Sequence, residues 1–209
     1  MPCRPSVLLL LPLLGLTQCL LLPDNVSMPK DKMPEATQTG ANTAGCFVDG
    51  ITWVPRNNGY TMSGDPLPAV DAEWRKVPGG RHPLSLVFVK NIDDVTQVHG
   101  ETSLKLYLPD ITQPGTFVLD QPGNPSVVNG PNAYGVFSFN KPSPDQVLLT
   151  GPGAPGRLVV TRLDTSAHVV SGTFEFTPIQ GNGGLTGNGT PIPGGKTARI
   201  TEGRFDCKF

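Results

Sequence analysis

The sequence predicts an all-β protein: one antiparallel sandwich or partly open barrel of about 8–10 strands, preceded by a signal peptide and a tether. Three observations predict it. Apolar and polar residues alternate with period two in a series of short segments. Gly and Pro, 25 and 23 of 209 residues, separate those segments in clusters that read as turns. Windows with helical periodicity are nearly absent.

The chain opens on a leader. Arg4 is the only charge before Asp24, and Val7 to Thr17 (VLLLLPLLGLT) is an apolar run of signal-peptide length. Pro12 and Gln18 interrupt it well before the roughly 20 apolar residues that a membrane-spanning helix needs. Cys19 follows at once. Leu16 and Thr17 fit the first two places of a lipobox, while Gln18 departs from the usual Gly, Ala or Ser. Cleavage before Cys19 and diacylation of its thiol are expected, which makes residues 1–18 a signal peptide. Residues 20 to 43 contain Pro23, Pro29 and Pro34 and few large apolar groups. Such a segment buries too little surface to offset its ordering entropy. Residues 19–43 are therefore expected to be a flexible lipid-anchored tether, and residues 44–209 the folded domain.

Arg4 is the one basic residue of the leader, so 15 of the 16 Lys and Arg remain against 17 Asp and Glu. That near-neutral balance, with no run of like charges, argues against a nucleic-acid partner.

Cys46-Phe47-Val48 and Ile51-Thr52-Trp53-Val54 flank Asp49-Gly50, the signature of a two-residue hairpin. Ala69 to Val77, bracketed by Pro68 and Pro78, is the only place for a short helix. Strands are predicted at Leu84 to Lys90, Thr102 to Leu108, Gly115 to Leu119, Ala133 to Phe139 and Arg157 to Leu163. In Thr102 to Leu108, Leu104, Leu106 and Leu108 share one face while Lys105 and Tyr107 share the other. Val169 to Thr177 turns Val170, Phe174 and Phe176 inward and Ser171, Thr173 and Glu175 outward. The last strand, within Lys196 to Phe209, buries Ala198 and Ile200 and then Phe205, Cys207 and Phe209. The two sets differ in parity, so a β-bulge is predicted at Glu202-Gly203, with Gly203 supplying the positive φ.

Chemical motifs are scarce. Gly181 to Gly195 ends in Gly-Gly-Lys-Thr, but a phosphate-binding loop needs glycine where Thr190 stands and a helix after Lys196. His82, His99 and His168 are scattered; His82 precedes a proline and His99 precedes Gly100, both turn positions, and all three read as solvated rather than as ligands. No metal-ligand spacing and no cofactor fingerprint is present, so no catalytic residue and no cofactor are assigned. Asp93-Asp94 and the Glu175/Asp206 region could offer paired carboxylates, although strand and turn charges explain them as well. Cys46 and Cys207 both fall on apolar faces. In an oxidising compartment they could bridge, but two buried free thiols are the expectation.

Two ends of the chain carry a resemblance. Ala36 to Pro55 (ATQTGANTAGCFVDGITWVP) resembles the opening of a family of secreted Bacteroidota lipoproteins of unknown function. Ser171 to Thr177 (SGTFEFT) and Ile200 to Asp206 (ITEGRFD) resemble its closing hairpin. Asp49 stands where the family often has Asn, and Cys207 where it usually has an aliphatic residue. The resemblance implies a signal sequence, a lipid anchor and a single β-rich domain, and it implies no activity.

Two functional classes follow. One is a binding or assembly module of the bacterial envelope, lipid-anchored in the outer membrane and serving an envelope protein or glycan. Its candidate contacts are the outward aromatics Tyr60, Trp74, Tyr107 and Tyr134. The other is an envelope-polymer hydrolase with carboxylates dispersed over several strands.

Overall fold

The computed structural model describes residues 31–56, 67–93, 99–121, 123, 129–141, 146–182 and 192–209. Cys19, Tyr60, Asp94 and most of the Gly181 to Gly195 loop fall outside the described residues.

Twelve strands form: β1 (Thr43–Val48), β2 (Ile51–Trp53), β3 (Val70–Trp74), β4 (Leu84–Asp93), β5 (His99–Leu108), β6 (Gly115–Leu119), β7 (Tyr134–Lys141), β8 (Gln146–Leu149), β9 (Gly156–Asp164), β10 (Val169–Phe176), β11 (Ile179–Gln180) and β12 (Ile200–Lys208). They build two open six-stranded antiparallel sheets, ordered β2-β1-β12-β10-β9-β6 and β11-β8-β7-β5-β4-β3. The architecture is a sandwich and not a barrel, with more strands than the alternation predicts. Three short strands are additional, β3, β8 and β11; β3 and β11 lie at the sheet edges, and β8 lies between β11 and β7.

Within the stretch from Ala69 to Val77 no helix forms; Val70–Trp74 is strand β3, and its burial alternates with period two. Its residues Val70, Asp71, Ala72, Glu73 and Trp74 pair with Phe88 through Leu84 of β4. An edge that completes a sheet outweighs the weak helical preference of a short, proline-bracketed segment.

The inward faces meet as the alternation predicts. Leu104, Leu106 and Leu108 are at most 1% exposed, and they pack with Leu84, Leu86, Phe88 and Phe137 of the same sheet. The other sheet supplies Val170, Phe174, Ile200, Phe205 and Cys207. Phe88 reaches across to Phe174 and Phe205, with centroids at 6.2 and 6.5 Å. Trp53 packs edge-on against Phe137 and donates its indole N–H to Thr102 Oγ1 at 2.8 Å, which satisfies a buried polar group across the sandwich.

The turn and the bulge are both where the sequence puts them. Asp49 and Gly50 have φ of +50° and +81°, the signs of a type I′ hairpin turn. On β12, Ile200 pairs with Phe176 and Gly203 with Phe174, so two residues face the single Glu175. The positive φ falls on Glu202 (+50°), however, and not on Gly203. Gly203 is required for space: a Cβ there would lie 2.4 Å from the Phe174 ring and 2.6 Å from the Phe174 carbonyl oxygen.

Candidate functional site

The most elaborate polar constellation is built on Asp206. This residue points to the outer face of the first sheet, opposite Ser171 on β10 and Thr43 on β1, yet it is 1% exposed. The cover is the chain itself. Residues 31–42, expected to be free tether, run across this face as a strap without regular structure and then enter β1.

Asp206 holds the strap. Its Oδ2 accepts from Thr37 Oγ1 (2.6 Å), Thr39 N (2.9 Å), Thr39 Oγ1 (3.3 Å) and Ala41 N (3.1 Å). Its Oδ1 accepts from Gly40 N (2.8 Å) and from Ser171 Oγ (2.7 Å). Burial by itself would raise the pKa of this carboxyl. Hydrogen bonds from Thr37, Ser171, Thr39 and Gly40 outweigh that effect and hold it well below the usual carboxylate range. Three of its donors are backbone N–H groups of a segment that has no strand partner there, so the carboxylate replaces a missing ladder.

The rest of the strap is fixed at other points. Arg204 donates to the Pro34 carbonyl at 3.2 Å, and Arg162 donates to that of Gln38. Asn42 accepts from Lys208 N at 2.8 Å. At its start, Asp31 pairs with Arg56 at 3.0 Å and with the nearly buried Lys90. Segments 36–42 and 200–206, at opposite ends of the domain, therefore meet in one place, and there they fasten one element to another.

That geometry also separates the carboxylates. Glu175 lies on the same outer face, more than half exposed, 3.9 Å from Arg157. It is four residues along β10 from Ser171, the register partner of Asp206. At 3.3–3.4 Å per residue this places the two about 13 Å apart along the strand. Glycoside-cleaving pairs stand about 5–9.5 Å apart. Asp206, already saturated with donors, has no position for a substrate proton. Asp93 ends β4.

Of the candidate aromatic contacts, the three that lie in the described residues, Trp74, Tyr107 and Tyr134, are largely covered. Trp74 is half-buried on the core side of β3, donates to the Ile111 carbonyl at 2.9 Å and stacks on His82 at 5.0 Å. Its parity with Val70 and Ala72 was the available signal. Tyr107 and Tyr134 do point away from the main core, but they are 4% and 2% exposed. They stack at 5.2 Å and form a second apolar cluster with Val136, Val147 and Leu149 on the outer face of the second sheet. A connecting segment seals it: Tyr107 Oη donates to the Gly130 carbonyl at 3.1 Å, and the backbone at Gly123 lies directly against the Tyr134 ring. Alternation identifies the face a side chain takes, but not that a connecting segment covers these two tyrosines on theirs.

His82 is likewise partly buried against Trp74 rather than solvated, with Nδ1 3.9 Å from Asp110. His168 occupies the β9–β10 turn at φ +54° and meets Phe209 edge-on. Lys196 precedes a strand and not a helix, so its Gly-Gly-Lys-Thr forms no phosphate cradle.

Cys46 and Cys207 are free and fully buried. Cys207 pairs in register with Val170, while Cys46 faces the bulge at 202–203. About four residues, or about 13 Å along the strands, separate them, beyond the roughly 7 Å a disulfide spans. Burial pushes both thiols up to about 12, opposed by Lys90 at Cys46 and reinforced by Asp206 at Cys207. They are neutral and unreactive.

Among the described residues no group of three His, Cys, Asp or Glu side chains converges as metal ligands. Two shallow open depressions, of about 410 and 430 Å³, lie on the outer face of the first sheet and share Arg157 and Glu175. Glu202 and Arg204 line one, and Arg199 lines the other. Compared with known proteins, the chain matches no family model, no curated protein and no solved structure.

Proposed function

We propose that the protein is a lipoprotein of the bacterial envelope, anchored through Cys19 in the outer membrane, whose sandwich is a binding or assembly module for another envelope component, a protein or a glycan. The observation that carries this reading is the strap. With residues 31–42 fastened to the sheet, eleven residues, or twelve residue-to-residue steps, separate Cys19 from Asp31. At most about 3.6 Å per step, that stretch would hold Asp31 within about 43 Å of a lipid at Cys19. Six hydrogen bonds on one carboxylate then serve to transmit that attachment to the centre of the sheet.

The rest of the surface suits contact better than catalysis. The depressions around Arg157 and Glu175 are wide, open and of mixed charge, a surface that can take an extended partner. The Glu175/Asp206 pair stands too far apart for glycoside cleavage, and Asp206 is consumed in folding. Metabolic labelling with radioactive palmitate tests the anchor. Label should enter the wild-type protein and be absent from Cys19→Ala, which should leave the membrane fraction. Unlabelled wild-type protein, with a mature N-terminus downstream of residue 19, would overturn it.

A further inference from the structure

The outer face of the second sheet carries a different site. Glu73, Ser85 and Tyr107 are successive register partners across β3, β4 and β5, so the pleat turns all three outward in one row. Lys105 stands one row along, two residues from Tyr107 on the same face. Asn129 joins them in the lining. Together with Arg75 these side chains line a pocket of about 120 Å³. At about 30 Å³ per water, that is room for a compact polar solute and not for a polymer chain.

The lining carries charges of both signs. Glu73 and Arg75 form an ion pair at the rim, each about half exposed (51% and 46%). Lys105 is half-buried, with Nζ 5.9 Å from the centre of the Tyr134 ring. Burial lowers its pKa and the charge of Glu73 raises it again. Lys105 lines the pocket, and a half-buried cation attracts an incoming anion more strongly than a fully solvated one does. The Ser85 hydroxyl and the Asn129 amide offer neutral hydrogen bonds, and Glu73 can accept from a hydroxyl.

We infer that this pocket binds a compact hydroxy-carboxylate, with Lys105 on the carboxylate and Ser85, Asn129 and Glu73 on the hydroxyl groups. The chemistry has two sources: a free small hydroxy acid, or the terminal acidic unit of a glycan. The inference goes beyond the anchored module, since it concerns the opposite sheet and holds whether or not Cys19 is acylated.

Titration calorimetry on the purified full-length protein tests it, with glycerate, glucuronate, an oligogalacturonate and neutral glucose as probes. At least one of the acids should bind and glucose should not. Lys105→Met should weaken that binding by about tenfold or more. Ser85→Ala, a smaller change, should weaken it by a lesser factor, and it serves if Lys105→Met fails to fold by circular dichroism. Binding of glycerate without oligogalacturonate assigns a free acid, and the reverse assigns a glycan end. No heat from any acid, equal binding of glucose, or unchanged affinity in both folded variants would overturn the site. None of these results bears on palmitate labelling, so the two proposals fail separately.

Discussion

Asp206→Asn removes one charge and one acceptor atom from the strap while preserving shape. Whichever way the amide turns, its NH₂ group replaces one carboxylate oxygen. At the Oδ2 position it would face the N–H groups of Thr39 and Ala41, and at Oδ1 the N–H of Gly40. The hydroxyls of Thr37 and Ser171 can rotate to accept, but the backbone donors cannot. A hydrogen bond to a charged group contributes about 1.5–3 kcal/mol, and a buried unsatisfied donor costs about 1–3 kcal/mol. With one or two backbone donors stranded, the loss should be about 2–4 kcal/mol. In a domain of this size about 3 kcal/mol lowers Tm by about 6–12 °C. The pH dependence has a definite sign. The folded carboxyl sits below its unfolded value of about 3.9, so the stabilisation is complete above that pH and is lost as pH falls further. Wild type should therefore lose stability in acid more steeply than the variant. Calorimetric melts from pH 7 down to 3, with hydrogen exchange at Thr39, Gly40 and Ala41, measure both effects. If Asp206→Asn melts within about 2 °C of wild type (under 1 kcal/mol), with unchanged exchange at those amides, the clamp contributes little and the argument is wrong.

Two further outcomes concern the buried end of the chain. At the bulge, Gly203→Ala should cost about 3 kcal/mol or more because its Cβ meets Phe174, whereas Glu202→Gly should raise stability by about 0.5–1 kcal/mol by relieving a left-handed residue; urea melts of both decide it, and the opposite order would sink the assignment of strain to Glu202. For the thiols, a disulfide-exchange reagent at pH 8 should leave Cys46 and Cys207 untouched in the native domain and titrate both after denaturation without reductant, while finding neither would prove a bridge.

Much of the sandwich was legible because its causes are local. Leu104, Leu106 and Leu108 lie inward because successive residues of a strand face opposite ways, and Asp49-Gly50 turns because those residues tolerate positive φ. The parity break between Ile200 and Phe205 located the bulge for the same reason. The assignment of positive φ to Gly203 failed because glycine has two uses, and here the Phe174 ring demands the absence of a Cβ while Glu202 takes the turn.

Other features depended on distance along the chain. Composition made residues 31–42 look like a tether, since it counts apolar surface and cannot count hydrogen bonds to a carboxylate 165 to 169 residues away. Tyr107 and Tyr134 alternate as surface residues, yet a connecting segment buries them, and Trp74 turns inward because β3 joins a sheet edge. The sequence by itself determined which residues alternate, where the chain turns and where the phase slips, because each is settled within a few bonds. Only the tertiary structure decided what lies over each outer face, because that cover comes from segments remote in sequence, held by specific hydrogen bonds that leave no periodic trace.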